Sequence, residues 1–155
     1  MSTQKSFIII VLVLSFFLLP KYAVGDDSGF IHHVLFPISH ANIFHLAGNI
    51  LCLWLFKIKL HLPVTVAVSF VCSYLPQFNL WGMEPFMGFS GILFAVIGIM
   101  YGRQNRPKRM FKYCIIPLLI TGLFPHVCLS IHLYCLLAGY AYGYLLETYR
   151  LYRLV

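Results

Sequence analysis

Apolar residues along this chain come in long runs, without the one-sided or alternating patterns of soluble helices and strands. Six runs are separated by short connections: Ser6–Lys21, Ile38–Phe56, His61–Phe78, Gly88–Gly102, Phe111–Phe124 and Leu129–Leu146. A helix that crosses a bilayer needs about 20 mostly apolar residues, within a range of roughly 17 to 25. Several runs fall short of that, so some of their flanking residues must also lie inside the bilayer. None alternates with the period of about two that a membrane barrel strand requires. The pattern predicts an all-α, polytopic membrane protein with six transmembrane helices. Residues 1–155 form a single domain, with no linker, repeat or low-complexity segment.

Composition agrees. Hydrophobic residues make up 61% of the chain and charged residues 10%, against about 25% charged in a soluble domain. In water so apolar a chain would expose large greasy patches. A net charge of +7 raises the question of nucleic acid, and the placement of the charges answers it. With the N-terminus in the cytoplasm, Lys5, Lys57, Lys59, Arg103, Arg106, Lys108, Arg109, Lys112, Arg150 and Arg153 all fall on the inner side. Only Lys21 falls outside, so ten of the 11 basic residues obey the positive-inside rule. Of the four acids, Asp26, Asp27 and Glu84 fall outside. The run Arg103–Lys112 therefore reads as an anchor facing anionic lipid, and no nucleic-acid partner is expected. The expected localisation is a multi-pass protein of a bacterial inner (plasma) membrane with both termini cytoplasmic.

The first run has a competing reading. Lys5, the apolar stretch to Leu19, and then Ala23-Val24-Gly25 resemble a secretory signal peptide with a small-residue cleavage site. The other five spans would keep their orientation, so charge does not choose between a retained helix and a cleaved leader. The five cysteines (Cys52, Cys72, Cys114, Cys128, Cys135) contain no CxxC pair and sit in or beside apolar runs. They read as small buried hydrophobes.

Polar groups at membrane depth are costly, so each is a functional candidate. The second run holds His40, His45 and Asn49; the fourth opens Gly88-Phe89-Ser90-Gly91; the sixth carries His132 about one turn in. His45 and Asn49, four apart, share a helix face, and His40 sits at the outer mouth of the same helix. Under the charge-derived topology all three runs enter from outside. His40, His45, Asn49, Ser90 and His132 then converge on one layer just below the outer surface. His32, His33, His61 and His126 read as loop or interfacial residues. Gly91, Ala95, Gly98 and Gly102 line one face of the fourth helix. Gly139 and Gly143 form a GxxxG stripe on the sixth, from which His132 also projects. Small residues let membrane helices approach closely, which would bring Ser90 and His132 together.

A serine hydroxyl becomes a useful nucleophile when a base takes its proton, and histidine is the usual base near neutral pH. Every acid in the chain lies in a loop or at the cytoplasmic end, so a Ser90–His132 dyad without a third carboxylate is expected. Ser90 opens a helix, where unpaired backbone N–H groups and the dipole favour an oxyanion. His45 and Asn49 can add side-chain donors, and Gly88 and Gly91 leave room for a substrate backbone.

Together these residues resemble a known family. His40-Ala-Asn-Ile-Phe-His45-Leu-Ala-Gly-Asn49 is similar to the HxxxxHxxxN signature of the rhomboid intramembrane serine proteases. Gly88-Phe89-Ser90-Gly91 matches their GxSG, and His132 with Gly139 and Gly143 resembles their sixth-helix pattern. The resemblance spans the second to sixth helices. It implies a six-helix rhomboid-like bundle and a serine endopeptidase with Ser90 and His132 as catalytic dyad. It also implies an oxyanion hole formed by His45, Asn49 and Ser90, and supporting roles for His40, Gly88, Gly91, Phe94, Gly139 and Gly143. Transmembrane protein substrates would be cut near the outer face, often after a small residue, with no cofactor and no metal.

The chain departs from the family pattern in three places. The first loop, 22–37, is short and lacks the usual Trp-Arg pair. Phe94 stands where many members have tyrosine, and Cys135 where a glycine is usual. The short form also resembles the rhombosortase branch. Three other readings compete. A metalloenzyme using His40, His45 and His132 has no HExxH and no carboxylate ligands to support it. A transporter has no inverted repeats. A non-catalytic rhomboid-like protein that binds transmembrane helices would typically lack the serine or histidine that this chain keeps.

Overall fold

A computed structural model of the chain describes residues 3–55, 61–77, 85–121 and 128–153. Among them the chain is mostly helical and contains no strand, only an isolated antiparallel bridge between Val24 and Phe86. The all-α expectation holds. The helices are α1 (Thr3–Leu18), α2 (Phe30–Leu35), α3 (Ile43–Leu55), α4 (Leu62–Cys72), α5 (Ser90–Arg103), α6 (Pro107–Met110), α7 (Ile116–Thr121) and α8 (Leu129–Tyr152). A 3-10 turn, Phe36–Ile38, follows α2, and a π turn, Phe111–Ile115, joins α6 to α7.

Local chemistry sets several of these boundaries. Pro63 and Pro107 sit in the first turns of α4 and α6, where the missing N–H costs nothing and the fixed φ suits a helix. After α5, Asn105 takes a left-handed φ of 47° and donates its N–H to the Gly102 carbonyl at 2.9 Å. Pro107 follows two residues later, so the helix cannot continue.

The second apolar run departs from its expected shape. It starts at the last residue of the 3-10 turn Phe36–Ile38, residues 39–42 are not helical, and the axis from Phe30–Ile38 to Ile43–Leu55 bends by 68°. His40 therefore lies in the turn before α3, not on that helix. His32 and His33 are also helical, in α2, and not loop residues as expected. His33 is buried, its Nδ1 2.8 Å from Ser73 Oγ and its ring stacked on Tyr74 at 3.8 Å between centroids. A run of two histidines looks polar in sequence, yet a hydroxyl and an aromatic face from the end of α4 satisfy this one. His126 lies outside the described residues.

The exterior is apolar, unlike that of a soluble protein, and several small polar residues lie inside. Thr65, Ser69 and Ser130 are fully buried, while Phe7, Phe17, Phe44, Trp54 and Leu145 are more than half exposed. In a bilayer the exposed apolar side chains meet acyl tails, and the small or polar ones pack helix against helix. Among the described residues, α8 alone is long and apolar enough to cross a membrane by itself; α1, α4 and α5 are shorter apolar helices, and the bent α2–α3 pair passes the same test jointly.

The tightest pair is α5 with α8. A Cβ placed on Gly98 would strike the Leu136 carbonyl, and one on Gly102 the Tyr140 carbonyl. From the other side, one on Gly139 would strike the Ala95 carbonyl and one on Gly143 that of Ile99. The two backbones touch from Ala95 to Gly102 on α5 and from Leu136 to Tyr144 on α8, about two turns of each helix. One apolar cluster joins Ile8 and Leu12 of α1 to Leu46 and Leu53 of α3 and to Phe89, Ile92, Leu93 and Val96. A second joins Cys72 of α4 to Ala95, Ile131 and Cys135. The five cysteines form no disulfide; Cys72 and Cys135 are buried, and Cys52 is exposed, against the expectation that all are core residues. Cys52 sits on the outward face of α3 beside Leu51, where a small apolar thiol suits lipid.

Candidate active site

Backbone contact between α5 and α8 brings the starts of the two helices together. Ser90 is the first residue of α5, and His132 lies in the first turn of α8. Ser90 Oγ and His132 Nε2 are 2.7 Å apart, a strong hydrogen-bond distance. With a neutral imidazole, Nε2 accepts from the hydroxyl when the proton sits on Nδ1. The Nδ1 atom is buried and has no hydrogen-bond partner. No carboxylate among the described residues takes that position. Asp26 and Asp27 line a separate cavity of about 710 Å³ with His33, Ser73 and Gln77. Glu147 lies near Arg103 and Arg150, each at 3.6 Å, at the opposite end of α8. The ring is instead held by Phe94, one helical turn after Ser90, whose centroid is 4.7 Å from that of His132 with the planes tilted by 33°.

The third element reaches the site through Gly88. This residue has φ +119°, and a Cβ there would lie 2.6 Å from His45 Cε1, 2.7 Å from His45 Nε2 and 3.5 Å from Asn49 Nδ2. Only glycine fits, for backbone and for space. His45 and Asn49 of α3 thus flank the main chain two residues before Ser90. Asn49 Nδ2 is buried without a partner, a donor left free beside the segment that leads to Ser90. His40 is almost wholly buried, both ring nitrogens unpartnered, with its ring edge-on to His45 at 5.2 Å. Unpaired buried donors are uncommon and call for an explanation. Gly91 packs where a Cβ would meet Ser69 Oγ at 2.9 Å and Cys135 Sγ at 3.5 Å. Gly139 and Gly143 lie further along α8 and act on the site through helix packing.

The family model of the Rhomboid domain matches residues 27–149, most of the chain. This chain belongs to the rhomboid family. It is therefore a membrane protein with the family's helical bundle, and the family is one of intramembrane proteases that act on transmembrane substrates; non-catalytic homologues also exist. A comparison with curated proteins finds no match.

Several residues around this rhomboid's site carried no signal in the sequence. The segment leading to Ser90 is fixed from both sides: Val24 and Phe86 exchange backbone hydrogen bonds of 2.8 and 2.9 Å, and Gly88 N–H donates to the Phe36 carbonyl at 2.8 Å. Ser130, two residues before His132, donates to Gln77 Oε1 at 2.8 Å, and Tyr134 OH donates to the Pro76 carbonyl at 2.7 Å. These bonds anchor the start of α8 to the segment that follows α4. The bonds of Val24, Phe86 and Gly88 run through main-chain groups, which every residue offers, and those of Ser130 and Tyr134 reach residues more than 50 positions away, so no motif marks them.

Proposed function

We propose that this rhomboid is an active intramembrane serine endopeptidase. The observation that carries this reading is the 2.7 Å contact between Ser90 Oγ and His132 Nε2, with Phe94 against the imidazole. Ser90 Oγ attacks the scissile carbonyl of a membrane-anchored substrate while His132 Nε2 takes the hydroxyl proton. The developing oxyanion is met by the N–H of Ser90 and side-chain donors of Asn49 and His45. The tetrahedral intermediate collapses, the amine leaves with the proton held by His132, and an acyl-enzyme remains. Water, deprotonated by the same imidazole, then releases the new carboxylate and restores Ser90. His40, Gly88, Gly91, Phe94, Gly139 and Gly143 support this machinery, and no metal or cofactor takes part. The termini are cytoplasmic, six helices span the bilayer, and cleavage occurs near its outer face.

The test uses the purified protein in liposomes with a fluorophosphonate probe and a reporter transmembrane substrate. Wild type should be labelled at Ser90, located by mass spectrometry. Ser90→Ala and His132→Ala should each lower cleavage to below about a thousandth of wild type. Folded wild type that is neither labelled nor able to cut the reporter would overturn the reading in favour of a non-catalytic helix-binding rhomboid.

A further inference from the structure

The stretch between α1 and α2 begins outside the residues matched to the family, yet it is bonded to both halves of the site. On one side it holds the turn that carries His40 and launches α3. Tyr22 N–H donates to Ser39 Oγ at 3.1 Å and Lys21 Nζ donates to the Ala41 carbonyl at 2.6 Å; Ser15 Oγ, in α1 just before the stretch, donates to the Ile38 carbonyl at 2.8 Å. On the other side Val24, three residues after Lys21, is bridged to Phe86, four residues before Ser90. The stretch Lys21–Val24 thus ties the His45–Asn49 side of the site to the Ser90 side.

Lys21 is also the basic residue that the charge pattern leaves alone on the outer face. There it adds nothing to orientation by the positive-inside rule. Its ammonium instead makes a short charge-assisted bond to a main-chain carbonyl, stronger than a neutral pair. Ala41 is next to His40 and four residues before His45. A small shift of this turn would therefore be passed along α3 to Asn49.

We propose that Lys21 is a positioning residue: by pinning the Ala41 carbonyl it fixes His45 and Asn49 against the Gly88–Ser90 segment. The catalytic consequence rests on the protease reading above; the geometric one does not.

The experiment compares full-length wild type, Lys21→Met and Lys21→Arg in liposomes. Methionine keeps the apolar stem and removes the donor; arginine restores a cationic donor. Amide hydrogen exchange reads the geometry, and kcat and KM for a reporter transmembrane substrate read its consequence. Lys21→Met should speed exchange across residues 41–46 about tenfold and leave α8 unchanged. It should also lower kcat about tenfold with KM within about twofold, since small misplacements of a site are costly. Lys21→Arg should recover most of both. Unchanged exchange at 41–46 in Lys21→Met overturns the proposal, as does faster exchange with unaltered kcat in an active wild type. Should wild type itself be inert, the exchange result alone decides the positioning role, and only the protease reading falls.

Discussion

Asn49 is where sequence and structure make the sharpest joint statement at the scale of single residues. An amide in the middle of an apolar helix is expensive, and its Nδ2 is buried without a partner beside Gly88. If that donor is reserved for an oxyanion, Asn49→Ala should lower kcat by roughly 10²-fold and leave KM nearly unchanged. Equal kcat in the variant would assign the amide to packing alone. Ser90, His132, His45 and Asn49 were legible in sequence because each puts a polar atom where lipid-facing helices tolerate none. Lys21, Phe36 and Val24 were not. Their contributions run through main-chain carbonyls and N–H groups, which leave no residue signature, or through a lysine indistinguishable from any interfacial one. His33 was misread for a related reason: its partners, Ser73 and Tyr74, are 40 and 41 residues away, beyond the reach of any local pattern.

At the scale of helices, the α5–α8 contact decides whether the site exists. The small-residue stripes Gly91-Ala95-Gly98-Gly102 and Gly139-Gly143 announced it, since small residues at helical spacing are what close membrane packing needs. Gly98 is one of the demanding positions, because a Cβ there meets the Leu136 carbonyl and lies 2.7 Å from the Tyr140 nitrogen. Backbone cannot yield as a side-chain tip can, so the helices must separate. Gly98→Val should destabilise the bundle by about 1–3 kcal/mol and also slow fluorophosphonate labelling at Ser90, two turns away. Both are measurable in one detergent-denaturation series with labelling followed in parallel. Retained stability and labelling would show that the two helices can part without cost to the site. The bend before α3 was less legible. Pro37 offered a hint, but the Ser15, Tyr22 and Lys21 bonds to the turn that carries His40 come from residues 17 to 23 positions away, beyond any local pattern.

For the whole molecule, charge and chemistry point along the same axis. The described basic residues Arg103, Arg106, Lys108, Arg109 and Lys112 cluster from the end of α5 to the π turn, and Arg150 and Arg153 lie at the end of α8. Ser90 and His132 lie at the starts of those same two helices. Because α5 and α8 run side by side from paired starts, the dyad and the basic ends are at opposite poles of the bundle. Each Lys or Arg near an anionic leaflet contributes about 1 kcal/mol, so in the proposed orientation these seven residues would hold one pole to the cytoplasmic face and turn the dyad outward. A reporter fused after Val155 should therefore read cytoplasmic, and cysteine introduced at Asp27 should react with an impermeant maleimide from outside intact cells. Exchanging Arg103, Arg106, Lys108 and Arg109 for glutamine should scramble both readings while leaving the isolated dyad able to form. A C-terminal reporter found outside in the native chain would invert the assignment and place peptide cleavage at the inner face.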